Sequence, residues 1–230
     1  MTSRLLVFAS GTPTGGGSGF ENLVNASRMA KTVHGSPDPS EQSSDGFRAV
    51  LSADIVGVVS NHEQGGVREK ADRLGIPFIF FPGPYEAEEY ERIVKDTRAD
   101  FVALSGWLKL IKGLDPKTTF NIHPGPLPEF GGAGLWGHHV HEAVMKAYKE
   151  GRVTHSAVSM HFVTPEFDEG PVFFSHRVEI LPDDTADTLA ARVNATEHEY
   201  QPIITNLVVN GEISWDGRDP ASLQGARLEE

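Results

Sequence analysis

"RLLVFASGTPTGGGSGFENLVNASRMAKTV", Arg4 to Val33, decides the fold. Arg4 to Ser10 is a short apolar run that stops at a glycine-rich stretch, the pattern of a buried strand opening into a loop. A helix is predicted next: Phe20, Leu23, Val24 and Ser27 recur at steps of three and four and share one side, and Gly35 stands where a stop belongs. Beyond it, "IVGVVSN", "FIFF", "DFVALSG" and "TFNIHP" read as strands. "GGVREKADRLGIP" and "EAEEYERIVKDTRA" between them have helical composition and charge spacing. Alternation of this kind predicts an α/β fold, Rossmann-like, with a mostly parallel twisted sheet flanked by helices. The ligand crevice then lies at the carboxyl ends of the strands.

Two longer alternating runs follow, "SAVSMHFVT" and "GPVFFSHRVEI", around the loop "PEFDEG", and "TADTLAARVNATEHEYQPIITNLVV" reads as a closing helix. Residues 1–215 are predicted to form a single domain. "GSPDPSEQSSDG", 35–46, is rich in Ser, Pro, Asp and Gly and reads as an exposed insertion within it. The polar segment 216–230 has few apolar anchors and is predicted to be a loose tail.

The chain has 230 residues, 39% hydrophobic and 23% charged, an ordinary globular balance. Its formal charge of −12 works against attraction to phosphate backbones, so no nucleic-acid partner is expected. With no cysteine, disulfides, thiolate nucleophiles and thiolate-bound zinc are excluded, which suits a reducing cytoplasm. The first residues, "MTSRLLVFAS", are too short an apolar run for a spanning helix or a signal segment, so no membrane partner is expected and the cytoplasm is the predicted location.

The glycine loop before "FENL" suits either a phosphate cradle at a helix N-terminus or plain chain-turning; it matches neither the dinucleotide nor the triphosphate pattern. In "FNIHPGPLPEFGG", Phe120 to Gly132, Asn121 and His123 lie two apart at a strand end and face the same way. An amide and an imidazole there can both donate to a carbonyl oxygen that becomes negative, and the ring can move a proton; a structural histidine is the other reading. Asp168, in the "PEFDEG" loop, would raise the pKa of His123 by pairing with its ring, or else serve only the turn. His138, His139, His141 and Glu142 invite a metal, but their spacing aligns two ligands at best, so no metal is predicted and a helix start lining the site is preferred.

"NIHPGPLP" followed some forty residues on by "HFVTPEFDEGPV" resembles the folate-dependent formyltransferase family, and the likeness spans roughly residues 4 to 215. "GSGFENL", "SGWLKLI" and "ATEHEYQP" resemble its branch acting on glycinamide ribonucleotide. The resemblance implies formyl transfer from 10-formyltetrahydrofolate, as co-substrate, to the amine of glycinamide ribonucleotide, without metal or covalent intermediate. It implies catalysis by Asn121, His123 and Asp168. Backbone amides of Gly19, Phe20, Glu21 and Asn22 would bind the phosphate, and Glu197 would accept from the substrate amine. Folate would lie against Leu108, Lys109, Leu110, Ile111 and the loop Thr164, Pro165, Glu166, Phe167 and Asp168, with Asn121 beside it and Lys70 at an anionic end. Two departures from the family pattern stand out: Glu21 must point away from a phosphate, and Lys70 replaces the usual arginine. The protein is expected as a monomer or homodimer. Related alternatives are a formyltetrahydrofolate hydrolase, which usually has an extra N-terminal domain, and methionyl-tRNA formyltransferase, which normally has a nucleic-acid-binding C-terminal domain. A non-catalytic anion- or metal-binding α/β protein is the alternative of another class.

Overall fold

The computed structural model describes residues 2–33 and 50–229; the stretch 35–46, expected as a surface insertion, lies outside them. β1 (Ser3–Phe8) buries Leu5, Leu6, Val7 and Phe8 completely, because a central parallel strand is covered on both faces. α1 (Ser18–Val33) follows the glycine loop and turns Phe20, Leu23, Val24 and Ser27 inward, the stripe its spacing dictates. The chain continues through β2 (Ala53–Ser60), α2 (Gly66–Leu74), β3 (Phe78–Phe80), α3 (Ala87–Thr97), β4 (Phe101–Ser105) and β5 (Thr119–His123). α4 (His138–Lys149), β6 (His155–Phe162), β7 (Val172–Glu179), α5 (Ala186–Val209) and β8 (Arg227–Leu228) complete it.

The strands form one eight-stranded sheet in the order β3-β2-β1-β4-β5-β6-β7-β8. Every pairing is parallel except those of β6 with β5 and β7, so the sheet is mostly parallel as the alternation requires. Successive side chains of β1 enter opposite layers. Leu5 and Val7 join the core shared with α1, α4 and α5, while Leu6 and Phe8 pack with Tyr90, Ile93 and Trp107. Strand order reverses between β1 and β4, and the loops that leave these two strands diverge there to open a crevice. Ser10 N–H donates to the Gly106 carbonyl at 2.9 Å and ties the two loops together at its base.

α5 contains Pro202, which has no N–H for the carbonyl four residues back, that of His198. Asn22 of α1 fills the gap: its Nδ2 donates to the His198 carbonyl at 2.6 Å and docks α1 on α5. The segment expected to be a loose tail differs from that expectation. Backbone N–H groups of Arg218 and Asp219 donate to Asp216, the Trp215 indole donates to the Asp219 carbonyl at 2.8 Å, and β8 pairs with β7. Leu223 packs against the core that holds Trp215, and hydrogen bonds supply most of the remaining attachment.

Candidate active site

The crevice encloses about 490 Å³ between the glycine loop, the loop after β4, the end of β5, the start of α4 and one face of α5. Asn121 and His123 alternate with Phe120 and Ile122, which belong to the core, so the amide and the ring project from the other face of β5. The antiparallel register sets His161 of β6 directly opposite Asn121. Asp168 reaches over from the loop between β6 and β7, at a left-handed φ of 57° that aspartate tolerates better than most residues.

These four side chains meet. Asn121 Nδ2 lies 3.4 Å from Asp168 Oδ1 and 3.1 Å from His161 Nε2. His161 Nε2 is 3.3 Å from Asp168 Oδ1, and His161 Nδ1–H donates to the Phe162 carbonyl at 2.9 Å. His123 Nδ1 faces Asp168 Oδ2 at 3.7 Å, while its Nε2–H donates to the Phe130 carbonyl at 2.8 Å. The Gly132 N–H donates to Asp168 Oδ2 at 3.0 Å. A Cβ at neighbouring Gly131 would stand 3.0 Å from that of Asp168 and 2.5 Å from Leu127 Cδ2, so glycine permits the two loops to close on each other.

Electrostatics correct one expectation. Burial pushes the His123 ring below the usual imidazole range, outweighing Asp168 and the Phe130 carbonyl, which favour the charged form. The upward pull of the carboxylate is therefore overcome by burial, and the resting ring is a neutral base whose Nδ1 faces Asp168. Burial also pushes Asp168 up, but the His161 hydrogen bond, the facing His123 and the Gly132 N–H together hold it below its ordinary value. His141, on the crevice-facing side of α4, is driven down to about 4 by burial and then by His138 and His123. Burial pushes Glu197 up to about 7, against the Asn194 amide at 3.3 Å.

The other expected site residues divide. Gly19, Leu108, Phe167 and Glu197 line the crevice, and Leu108, Phe167 and Trp136 form an exposed apolar rim. Phe20 is fully buried in the core, and the Glu21 amide is bound to the Gly17 carbonyl. Gly19 and Phe20 thus belong to the first turn of α1, where backbone amides lack helical acceptors, while the Glu21 amide is already used by the helix. The Glu21 carboxylate does point away, to Arg73 at 2.6 Å. The Asn22 side chain serves α5. Lys109 sits over the Tyr85 ring at 5.4 Å, Leu110 accepts from Tyr90, and Ile111 is buried in the core beneath. Thr164 bonds the Glu166 carbonyl within its own loop, and neither they nor Pro165 line the crevice. Lys70 lies beside Gly17 of the glycine loop rather than in the crevice lining. Sequence reasoning missed His161, although it opens the "HFVTPEFDEG" stretch; only strand register identifies it as the partner of Asn121. Among the described residues no group of three or more His, Asp or Glu is arranged to hold a metal ion, and His139 instead pairs with Glu142 at 3.0 Å. None of the helices among the described residues is long and apolar enough to cross a membrane.

A mostly parallel sheet with a crevice at its switch point, where an amide, two imidazoles and a carboxylate meet, has the architecture of the α/β proteins that bind small molecules at strand ends. The chain belongs to the formyl transferase family, whose model matches residues 4–205. It is 33% identical over 223 residues to the chloroplastic phosphoribosylglycinamide formyltransferase of Arabidopsis thaliana, covering 92% of this chain and 67% of that protein. To the phosphoribosylglycinamide formyltransferase of Bacillus subtilis (strain 168) it is 29% identical over 211 residues, covering 87% of this chain and 92% of the relative. The crystal structure of glycinamide ribonucleotide transformylase 1 from Symbiobacterium toebii superposes with a TM-score of 0.74 at 25% identity, over 99% of this chain and 95% of that one.

Proposed function

We infer that the protein transfers the formyl group of 10-formyltetrahydrofolate to the amine of glycinamide ribonucleotide, a step of purine synthesis. The observation that carries this reading is the convergence of Asn121, His123 and Asp168 on one end of a crevice whose other end is a glycine loop and helix start. That division suits a two-part substrate, with an anion at the helix and a reacting amine near the β5 end. It is supported by the names of relatives that share most of this chain's length.

The amine nitrogen attacks the formyl carbon, and the carbonyl oxygen gains negative charge, which the Asn121 N–H₂ stabilises. Neutral His123 takes the proton released by the attacking nitrogen at Nδ1. Asp168 stabilises the imidazolium that results. The ring then gives this proton to N10 of the folate as the carbon–N10 bond breaks, leaving formylated amine and tetrahydrofolate. Leu108, Phe167 and Trp136 offer the flat rings of the folate an apolar wall. The cysteine-free composition fits a reducing compartment, and we place the protein in the cytoplasm.

The test is to supply purified protein with 10-formyltetrahydrofolate and either glycinamide ribonucleotide or water alone. Folate deformylation should require the ribonucleotide, and Asn121→Ala should lower kcat by about a hundredfold or more. Equal deformylation without the ribonucleotide would make the protein a hydrolase.

A further inference from the structure

The glycine-loop end of the crevice holds two buried polar side chains that the chemistry above does not use. Gln201 of α5 is 2% exposed and Ser105, at the end of β4, is 9% exposed; both line the crevice. Among the described residues their one side-chain hydrogen bond is mutual, from Ser105 Oγ to Gln201 Oε1 at 3.4 Å. The hydroxyl thus engages the oxygen end of the amide and leaves the N–H₂ end without an acceptor. That N–H₂ end is left for an acceptor that enters the crevice, which Gln201 lines.

The pair lies directly beneath the first turn of α1. A Cβ on Gly19 would stand 2.3 Å from Ser105 Oγ and 2.9 Å from Gln201 Oε1, so the turn seats on the pair only because residue 19 is glycine. Gln201 also follows Glu197 by one helical turn, on the same crevice-facing side of α5. One ligand lying along that side can touch both. We propose that Gln201 is a substrate-positioning residue whose side-chain amide donates to the phosphate monoester of the substrate, seated on the first turn of α1. The proposal rests on the ribonucleotide reading of this site. An amide suits so buried a position, because it adds a directed donor to the partial positive charge of the helix end without the desolvation cost of a buried cation.

Wild type, Q201M and Q201E are compared in steady-state kinetics with glycinamide ribonucleotide and in competitive inhibition by inorganic phosphate. Losing one hydrogen bond to a charged group, Q201M raises the KM for the ribonucleotide and the inhibition constant of phosphate by about tenfold each. Its kcat and its KM for the folate stay within about twofold, as expected when ground and transition states lose the same contact. Q201E keeps an acceptor for Ser105 but sets a carboxylate against the phosphate, so both constants rise further, and the loss shrinks as pH falls. A purely structural role would change thermal stability in these variants without moving either constant. If wild type turns over the ribonucleotide and both constants are unchanged in the two variants, the proposal fails while the substrate reading stands. If wild type does not turn it over, both fall. Should Q201M fail to fold, Q201E alone decides.

Discussion

Replacing His141 with glutamine should flatten the acid side of the stability profile. His141 is 5% exposed, its Nδ1 has no hydrogen-bond partner, and its ring stands 6.3 Å from that of His138. Burial, His138 and His123 lower its pKa from 6.5 to about 4. Because the folded pKa is the lower one, the unfolded chain takes up the proton first as pH falls. The neutral ring therefore costs nothing above pH 6.5, and stability declines between there and about 4. At about 1.4 kcal/mol per pH unit the full loss is on the order of 3 kcal/mol, of which about 2 kcal/mol is reached by pH 5. Urea unfolding of wild type and H141Q at pH 8 and pH 5 measures it. The wild type should lose about 2 kcal/mol more than the variant between these conditions, since the remaining titrating groups are common to both. Equal losses in the two proteins would mean that His141 is either charged or solvated in the fold, and the burial argument would be wrong.

Glu197 leads to a prediction with its own sign. Its folded pKa is raised to about 7, so an acceptor role toward the substrate amine improves as the carboxyl ionises, and the KM for the ribonucleotide should fall as pH rises through 7. Glu197→Gln should remove that dependence; a KM profile unchanged in the variant would exclude the role. Asn22→Ala should lower stability by about 1–3 kcal/mol, because the His198 carbonyl left free by Pro202 loses its donor. Thermal unfolding measures this, and an unchanged midpoint would show that water replaces the amide.

Much of the site was legible in the chain because its parts are short-range. A glycine run after an apolar strand, and Asn121 two residues from His123, follow from strand periodicity and need no knowledge of distant contacts. What the sequence withheld depends on pairing. His161 is an ordinary-looking strand residue until antiparallel register sets it opposite Asn121. Asn22 reads as part of an anion loop until the helix containing Pro202 arrives beside it with a carbonyl to satisfy. The charge state of His123 could not be read either, since a nearby carboxylate and deep burial act in opposite directions and only packing decides between them.

The sequence by itself determined the alternation of strand and helix, the crevice at strand ends, and the residue types that polarise a carbonyl, because these rest on local periodicity and side-chain chemistry. Only the tertiary structure decided that the Asn22 amide serves α5, that Arg227 and Leu228 pair with β7, and that burial outweighs Asp168 at the ring of His123, because each depends on what a residue far along the chain brings into contact.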